Sequence, residues 1–346
     1  MAPGMPDNIC IVMMSAVGDA VHVLPVINAL KRNNPRTRIT WVLQPGPAAL
    51  VRGHRSVDEI VVFDRARGLA AFADVARDLG KRRFDLVINL QVYFKAGIVT
   101  ALTHAPVKFG FDRARARDFN WLFTNRKIPA SSVQHVQDQY LEFLTALGVS
   151  ADPLEWDLGP WPSEREWQRS FRSSIQRPIA SIVVATSKPQ KDWFPERWAE
   201  VADVLHEQYG MQVVLVGGRS ERELAAERIV IEKTKHKPRS DLGSGLRNLV
   251  SILDASALVL SPDTGPLHMA VALDRPVISL MGYTNPKRTG PYRRFHDLIV
   301  DAYGNPGENY PISMENRPGR MSRIETKHIL DKVALWKERY AGKARQ

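Results

Sequence analysis

The sequence predicts an α/β protein with parallel sheets and helices on both faces of each sheet. Short apolar runs of strand length alternate with longer segments of helical spacing along almost the whole chain. The alternation stops near residues 150–177, which are rich in Pro, Gly and Trp, and then starts again. A chain of 346 residues has room for two domains. We therefore expect two α/β domains joined by one linker.

The first half contains the strands and helices expected of one such domain. Residues 9–14 are an apolar run that ends at Ser15 and Gly18, and a helix with apolar side chains at Val23, Ile27 and Leu30 follows. The sequence at residues 44–47 (QPGP) is typical of a turn. Strands are expected at residues 9–14, 38–43, 59–63 and 84–89, and further helices at residues 69–79 and 133–147.

The second half repeats this pattern after the linker, in which a short amphipathic helix is expected at residues 163–175. Strands are expected at residues 179–185, 211–216, 257–260 and 276–280, and helices at residues 195–209, 221–232, 246–253, 267–273 and 325–339. Two halves of this kind predict two Rossmann-like domains facing a cleft. Ligands of open α/β sheets bind at the carboxyl ends of the strands, so the loops that follow strands are the candidate functional segments.

Composition limits the class of partner. There are 48 Lys and Arg against 37 Asp and Glu, a net charge of +11, which favours nucleic acid, phosphorylated ligands or an anionic membrane. The basic clusters at residues 81–83, 113–117 and 126–127 fit either a solvated face or such a docking surface. The single cysteine, Cys10, is expected in a buried strand and suits a reducing compartment. There is no apolar run long enough to span a membrane, and residues 1–7 lack the features of a signal peptide.

The first candidate loop, residues 15–22 (SAVGDAVH), follows the first strand and opens the first helix. Gly18 permits a sharp turn and close approach of a ligand. Asp19 stands at the helix start, where Asp is a favourable N-cap. The same carboxylate is also suited to remove a proton from a hydroxyl. Both interpretations remain open from the residues alone.

The second candidate loop, residues 185–193 (ATSKPQKDW), follows the first strand of the second half. Thr186 and Ser187 offer hydroxyl donors, and Lys188 and Lys191 offer positive charge, so the loop suits a phosphate group. It is not a P-loop, because the G-x-x-x-x-G-K-[ST] pattern is absent. The alternative is a polar surface loop.

The third candidate loop lies between a strand and a helix at residues 261–268 (SPDTGPLH). Helix N-terminal amides bind anions, and Gly265 lets a phosphate approach the backbone beside Thr264. Asp263 repels phosphate, so it is expected to cap the helix or to bind sugar hydroxyls. His268 fits either a phosphate contact or a packed helix residue.

A further strand ends at Gly217 and Gly218, and Glu221 begins the helix that follows. Its carboxylate is suited to bind a pair of ribose hydroxyls. The alternative is that it only supplies a favourable negative charge at the helix N-terminus. Several other patterns are missing from the sequence. Without D-x-D, H-E-x-x-H or C-x-x-C there is no case for a metal site. Without G-x-G-x-x-G an oxidoreductase is disfavoured, and there is no nucleic-acid recognition motif.

The candidate loops, in this order and at this spacing, resemble glycosyltransferase family 9, the lipopolysaccharide heptosyltransferase family. The segments are residues 15–25 (SAVGDAVHVLP), 185–198 (ATSKPQKDWFPERW), 217–224 (GGRSEREL), 261–272 (SPDTGPLHMAVA) and 282–291 (GYTNPKRTGP). The resemblance implies the GT-B fold, with two Rossmann-like domains facing a central cleft and a C-terminal helix that crosses back to the N-terminal domain. It implies an acceptor domain at residues 1–160, a linker at 161–177, a donor domain at 178–324 and the crossing helix within 325–346.

The resemblance also implies roles for individual residues. Asp19 would be the general base of an inverting transfer. The donor would be a nucleotide-diphosphate sugar, with ADP-heptose as the expected co-substrate, and it would be bound without a metal or other cofactor. Glu221 would contact the ribose, with Glu223 as the alternative. The donor site would be formed by Thr186, Ser187, Lys191, Glu221, Asp263, Thr264, Gly265 and His268, with Gly18, Lys188 and Gly218 as possible additions.

The acceptor implied by the resemblance is the inner core of lipopolysaccharide, at the cytoplasmic face of the inner membrane. The chain would then be a cytoplasmic enzyme bound peripherally to an anionic membrane surface, without a nucleic-acid partner. Two alternatives remain: the same donor chemistry on another glycan or on a protein, and a basic nucleic-acid-binding protein that is not an enzyme.

Overall fold

A computed structural model of the chain describes residues 6–342. Most of the segment on which the expectation of no signal peptide rests, residues 1–5, lies outside this range. The last four residues of the expected C-terminal segment, 343–346, lie outside it as well. The described chain forms two units. The first runs to Ser132 and includes Val136–Asp157, and the second consists of Val133–His135 and the chain from Leu158 onward.

The first unit is built on a parallel sheet. Its strands are β1 (Asn8–Val12), β2 (Arg38–Leu43), β3 (Glu59–Val62), β4 (Leu86–Asn89), β5 (Val107–Gly110) and β6 (Arg126–Lys127), and its helices are α1 (Val17–Asn33), α2 (Pro45–Val51), α3 (Ala70–Gly80), α4 (Phe94–Ala101) and α5 (Val136–Leu147). The sheet has the order β3-β2-β1-β4-β5-β6, the doubly wound order of a Rossmann domain.

The second unit is built in the same way. Its strands are β7 (Ile179–Val183), β8 (Gln212–Val216), β9 (Arg239–Ser240), β10 (Leu258–Pro262), β11 (Val277–Met281) and β12 (Ile299–Asp301), and its helices are α6 (Arg165–Ser173), α7 (Pro195–Glu207), α8 (Glu221–Lys233), α9 (Leu246–Ala255), α10 (Gly265–Ala272), α11 (Pro286–Thr289) and α12 (Thr326–Arg339). The order β12-β11-β10-β7-β8-β9 repeats the topology of the first sheet, and the pairs are parallel.

The central strands are buried on both faces, which explains their nearly continuous apolar sequences. Ile9, Ile11 and Val12 of β1 have no exposed surface, and Cys10 lies between them in a core formed with α3. Burial raises the pKa of the Cys10 thiol to about 12. The expectation that this cysteine is a buried strand residue is therefore confirmed.

The predicted strands are all present, and their ends differ from the expected ones by at most two residues. The predicted turn at residues 44–47 is instead the start of α2, because Pro45 fits the first turn of a helix, where its missing N–H is not needed. The sequence analysis missed the short strands β6, β9 and β12, the short helix α11, and also α4 and β5. The last two are short as well, and Gly97 lowers the helical signal of α4.

The segment expected as a linker, residues 161–177, is an ordered part of the second unit and contains α6. The final helix, α12, also packs within the second unit, against α7, β11 and β12. Its buried residues Ile329, Val333 and Trp336 recur at helical spacing and form one face. The expected crossing of this helix to the N-terminal domain stays a prediction.

In each sheet the direction of winding reverses between two central strands, β1 and β4 in the first unit and β7 and β10 in the second. Such a switch point separates the loops that follow the two strands and is where α/β sheets bind ligands. The three candidate loops after β1, β7 and β10 all lie at these switch points.

Candidate functional site

Gln91, which follows β4, binds the loop after β1 across the switch point of the first unit. Its side-chain carbonyl accepts the N–H of Met14 at 3.0 Å, and its Nε2 donates to the carbonyl of Ser15 at 2.9 Å. Gln91 is buried, so these bonds are shielded from water. They hold the loop after β1 in place and so fix the start of α1.

Asp19 lies in the first turn of α1, two residues after the helix begins at Val17. It is therefore not the N-cap residue, although its Oδ2 accepts the N–H of Ala16 at 2.8 Å and so satisfies one free helix amide. Its Oδ1 accepts the hydroxyl of Tyr140 at 2.9 Å. An ionised carboxylate has about four acceptor positions, so these two bonds leave it able to accept a proton from a further hydroxyl.

Tyr140 is brought to Asp19 by α5, which packs along α1. The two helices are locked by Gln137, whose Nε2 donates to the carbonyl of His22 at 2.7 Å while its Oε1 lies 2.9 Å from Nδ1 of His22. Sequence reasoning missed Tyr140, because 121 residues separate it from Asp19 and no local pattern connects the two.

In the second unit, the loop after β7 buries one of its two hydroxyl residues and exposes the other. Thr186 is buried, and its Oγ1 lies 2.7 Å from the carbonyl of Lys188 and 2.8 Å from Oδ1 of Asp192. These two contacts shape the loop, and the expected phosphate contact of this hydroxyl stays a prediction. Ser187 and Lys188 are exposed and remain available to a ligand.

Asp192 and Arg222 were not identified from the sequence. Asp192 accepts the backbone N–H of Thr186 at 2.7 Å. Burial raises the pKa of Asp192, and the bonds from Thr186 oppose that shift. The Arg222 guanidinium lies 3.3 Å from the Asp192 carboxylate and donates to the carbonyl of Thr186. Together they fix the loop that begins at Thr186.

Lys191 and Asp263 form an ion pair across the switch point of this unit, between the loops after β7 and β10. Nζ of Lys191 is 2.6 Å from Oδ2 of Asp263 and 3.3 Å from its carbonyl oxygen. Thr284 and Thr289 direct their hydroxyls at the same oxygen. An ammonium group has three donors, so one N–H of Lys191 remains for an additional acceptor such as a phosphate oxygen.

The Asp263 carboxylate is strongly stabilised in its charged form. Burial by itself would raise its pKa, but the nearby imidazole of His268 and the charge of Lys191 outweigh burial and hold the pKa well below its usual range. Nε2 of His268 lies 3.6 Å from Oδ1. Asp263 is thus an anionic anchor that orients Lys191 and His268, and it is not the N-cap of α10.

The N-cap of α10 is Thr264, and the helix begins at Gly265. Pro266 has no N–H, so the backbone donors at this end are those of Thr264 and Gly265. Both residues are half-buried. The Lys191 ammonium binds Asp263, the residue before this N-cap. Backbone amides and an ammonium group therefore lie close together, and both are donors that bind a phosphate group.

Glu221 and Glu223 are distinguished by their contacts. One oxygen of Glu223 accepts the N–H of Gly218 at 2.6 Å, and the other accepts the N–H and hydroxyl of Ser220 at 2.9 and 2.6 Å. This is a capping box at the start of α8. A Cβ on Gly218 would lie 2.8 Å from the Glu223 carboxylate, so a larger residue there would displace that carboxylate from the capping box. Glu221 is exposed, which leaves it, rather than Glu223, for a ligand.

The basic clusters are not uniform surfaces. Arg115 is half-buried and paired with Asp112 at 2.5 Å and Glu142 at 2.7 Å. Arg82 binds Glu59. Arg115 therefore fits neither a solvated face nor a docking surface, because its charge is paired inside the fold. Arg113 remains on the surface, stacked over Trp121 at 4.5 Å.

The following two statements hold for residues 6–342 of the chain. No group of three or more His, Cys, Asp or Glu side chains in this range is arranged to hold a metal ion. None of the helices described there combines the length and the apolar character needed to cross a bilayer.

The profile of glycosyltransferase family 9 (heptosyltransferase) matches residues 72–309, which include both loops of the second switch point. The lipopolysaccharide core heptosyltransferase OpsX of Haemophilus influenzae is 31% identical over 299 residues, which cover 86% of this chain and 85% of that protein. The chain belongs to glycosyltransferase family 9. It is therefore a glycosyltransferase, as the resemblance in the sequence implied.

Solved structures of family 9 have the same fold. A family 9 glycosyl transferase from Veillonella parvula superimposes with a TM-score of 0.79 at 23% identity, covering 96% of this chain and 98% of that one. Heptosyltransferase WaaC of E. coli, solved with ADP, gives a TM-score of 0.74 at 24% identity, covering 95% and 99%. The expected GT-B fold with two Rossmann-like domains is thus confirmed.

Proposed function

We propose that this glycosyltransferase moves a heptose from ADP-heptose to the inner core of lipopolysaccharide, with inversion at the anomeric carbon. The similarity to a lipopolysaccharide core heptosyltransferase supports the sugar and the class of acceptor. The observation that supports the donor chemistry most directly is the Lys191–Asp263 ion pair beside the N-terminus of α10.

The donor diphosphate would bind at the second switch point. The remaining N–H of Lys191, the exposed hydroxyl of Ser187 and the amides of Thr264 and Gly265 are donors for its oxygens. As the sugar leaves, negative charge grows on the diphosphate, and donors that are already in place stabilise it. Lys188 adds positive charge at the same loop. We propose that these groups perform this task without a metal ion.

Two further groups would recognise other parts of the donor. Glu221, exposed at the first residue of α8, would bind the ribose hydroxyls, since the carboxylate of Glu223 is already used in the capping box. His268, held by Asp263, would line the sugar-diphosphate site. Gly218 serves this region by leaving room for the Glu223 carboxylate.

Asp19 would act as the general base. It takes the proton of an acceptor hydroxyl, whose oxygen attacks the anomeric carbon from the side opposite to the diphosphate. The new carbon–oxygen bond forms as the bond to the β-phosphate oxygen breaks, and ADP leaves with the bonding electrons. Gly18 precedes Asp19 in the first turn of α1 and lets an acceptor approach the backbone there.

The acceptor is a membrane glycolipid under this proposal, so the enzyme would work in the cytoplasm at the inner face of an anionic membrane. The net charge of +11 supports attraction to such a surface. The same donor chemistry on another glycan or a protein is the alternative acceptor class, since the donor loops do not report the acceptor. We propose that the protein has no nucleic-acid partner.

Titration with nucleotide diphosphates tests this function. The protein is titrated calorimetrically with ADP, UDP and GDP and then with ADP-heptose, in buffer containing a chelator. We expect ADP to bind in preference to UDP and GDP, and ADP-heptose to bind without added metal. Failure to bind any nucleotide diphosphate would overturn the proposal. Binding that appears only after a divalent cation is added would overturn its metal-independent part.

A further inference from the structure

One surface of the first unit exposes apolar side chains that the fold does not bury. Tyr93 and Phe94, at the start of α4, are 50% and 44% exposed, and Phe119 and Leu122, after β5, are 66% and 60% exposed. We refer to these four residues as the apolar tip. Single exposed apolar residues are ordinary, but several on neighbouring segments mark an interaction surface.

The two segments of the apolar tip are held together by a buried asparagine. Asn120 is 1% exposed, and its Nδ2 donates to the carbonyl of Tyr93 at 2.7 Å. Its Oδ1 accepts Nδ2 of Asn89, at the end of β4, at 3.2 Å. The N–H of Arg117 donates to the carbonyl of Val92 at 2.8 Å. These bonds hold together the two segments that carry the four exposed apolar side chains.

The apolar tip is also supported by packing of Phe123 against α4. Phe94 and Phe123 meet edge to face with ring centroids 5.6 Å apart. Phe123 lies so close to α4 that a Cβ on Gly97 would be 2.2 Å from its ring. Phe119 has a left-handed backbone conformation, with φ of 58°, and its carbonyl accepts the N–H of Leu122 at 3.0 Å. The fold therefore presents Phe119 outward in a defined position.

Exposed basic side chains lie on the same two segments as the apolar tip. Lys95 follows Phe94 directly and is exposed, and Arg117 is exposed two residues before Phe119. Arg113 lies over the ring of Trp121, 4.5 Å from its centroid. One acidic residue, Asp118, is exposed among them. Three positive charges against one negative charge favour an anionic partner.

The apolar tip and Asp19, the candidate base, lie at the same edge of the first sheet. The loops after β4 and β5 hold the tip, and Asp19 follows β1. All three strands are parallel, so these loops emerge at the same edge of the sheet. A surface bound through the tip would face the edge at which the acceptor hydroxyl is deprotonated under the proposed function.

We propose that the apolar tip inserts into the interfacial region of an anionic lipid bilayer, with Lys95, Arg113 and Arg117 at the level of the headgroups. Aromatic rings with polar ends and long basic side chains are the residues that settle at this boundary. A second copy of the chain fits less well, because its equivalent surface would bring like charges together. The biological purpose of this contact, access to a membrane glycolipid, rests on the proposed function.

Vesicle sedimentation tests the proposal. The full chain is mixed with vesicles of equimolar phosphatidylcholine and phosphatidylglycerol, or of phosphatidylcholine alone. We expect stronger binding to the anionic vesicles, weakened by salt. The double variant Phe119→Ser/Leu122→Ser should bind the anionic vesicles at least about tenfold more weakly, since two apolar contacts are lost. The matched control Val62→Ser/Ile312→Ser alters two other exposed apolar residues, 36% and 37% exposed, and should bind within about twofold of the wild type.

Lys95→Glu separately tests the electrostatic part and keeps the proposal testable if the double variant is unstable. It should weaken binding to the anionic vesicles and not to those of phosphatidylcholine alone. Unchanged vesicle binding by both variants would overturn the proposal. So would a wild type that self-associates in analytical ultracentrifugation and becomes monomeric in the double variant, since the tip would then be a contact between copies.

Calorimetric titration with ADP separates this inference from the proposed function. The double variant should keep wild-type affinity for ADP, because the tip lies in the first unit and the candidate donor loops lie in the second. If the wild type binds anionic vesicles through the tip but binds no nucleotide diphosphate, the proposed function fails and the membrane contact stands. The reverse result removes the membrane contact alone.

Discussion

Tyr140 donates its phenolic hydroxyl to Oδ1 of Asp19 across 2.9 Å, from a helix 121 residues further along the chain. The N–H of Ala16 binds the other carboxylate oxygen at 2.8 Å. The carboxylate is thus held at both oxygens before any acceptor arrives. Fixing the orientation of a catalytic group in advance is a general requirement of efficient proton transfer. The bond to Ala16 also stabilises the start of α1, so the residue that we propose as the general base has a structural role as well.

Asp19→Asn should separate these two roles. The amide has nearly the same size but cannot remove a proton, so we expect turnover to fall by about 10²- to 10⁴-fold with little change in affinity for ADP. Steady-state kinetics and calorimetry on the same preparation give both values. Turnover close to that of the wild type would show that Asp19 serves only the helix start.

Tyr140→Phe should lower turnover by about tenfold or more, because a hydrogen bond to a charged group is lost and Asp19 is less firmly held. Affinity for ADP should not change, since Tyr140 lies in the first unit. Tyr209→Phe, which removes a hydroxyl from the second unit, is the matched control and should keep wild-type turnover. Equal turnover in both variants would exclude a positioning role for Tyr140.

Much of the fold and part of the candidate site could be predicted from the sequence. The central strands of both sheets stand out because they are buried and almost purely apolar, and Asp19, Lys191 and Asp263 lie in the segments that follow such strands. Tyr140 and Gln91 could not be predicted, because they reach the site through tertiary packing alone. The inward orientation of the Thr186 hydroxyl depends on Asp192, six residues away, and spacing does not specify it.

Two lysines of the candidate donor site should differ when replaced. Lys191→Ala should weaken ADP binding and also lower the free energy of unfolding by about 3 kcal/mol, because it leaves the buried Asp263 carboxylate without its cation. Lys188→Ala should weaken ADP binding without loss of stability, since Lys188 is exposed. Calorimetry and urea unfolding measure the two effects. Unchanged ADP affinity in Lys191→Ala would move the phosphate contact to Lys188 or another cation.

Glu221→Gln and Glu223→Gln form another matched pair. Glu221→Gln should weaken ADP binding by about tenfold, because a charged acceptor for the ribose hydroxyls is lost, and should leave stability unchanged. Glu223→Gln should cost about 1 kcal/mol of stability through the capping box, with a smaller effect on ADP binding. The opposite pattern, with ADP affinity lost mainly in Glu223→Gln, would assign the ribose contact to Glu223.

Stability in acid should depend on Asp263. The folded protein keeps this carboxylate ionised at lower pH than the unfolded chain does, because its pKa in the folded state lies well below the usual range. Between the usual carboxyl pKa, about 4, and the folded value, the unfolded chain binds more protons. The stabilisation is therefore complete above about pH 4 and is lost as the pH falls further.

Urea unfolding at several pH values between about 7 and about 2.5 measures this dependence. Asp263→Asn should be less stable than the wild type at neutral pH, because Lys191 loses its partner, and the difference between the two proteins should shrink as the pH falls below about 4. Asp331→Asn, at an exposed position of α12, should follow the wild-type profile throughout. A difference between wild type and Asp263→Asn that stays constant over the whole range would mean that the carboxylate contributes through shape and packing rather than through its charge.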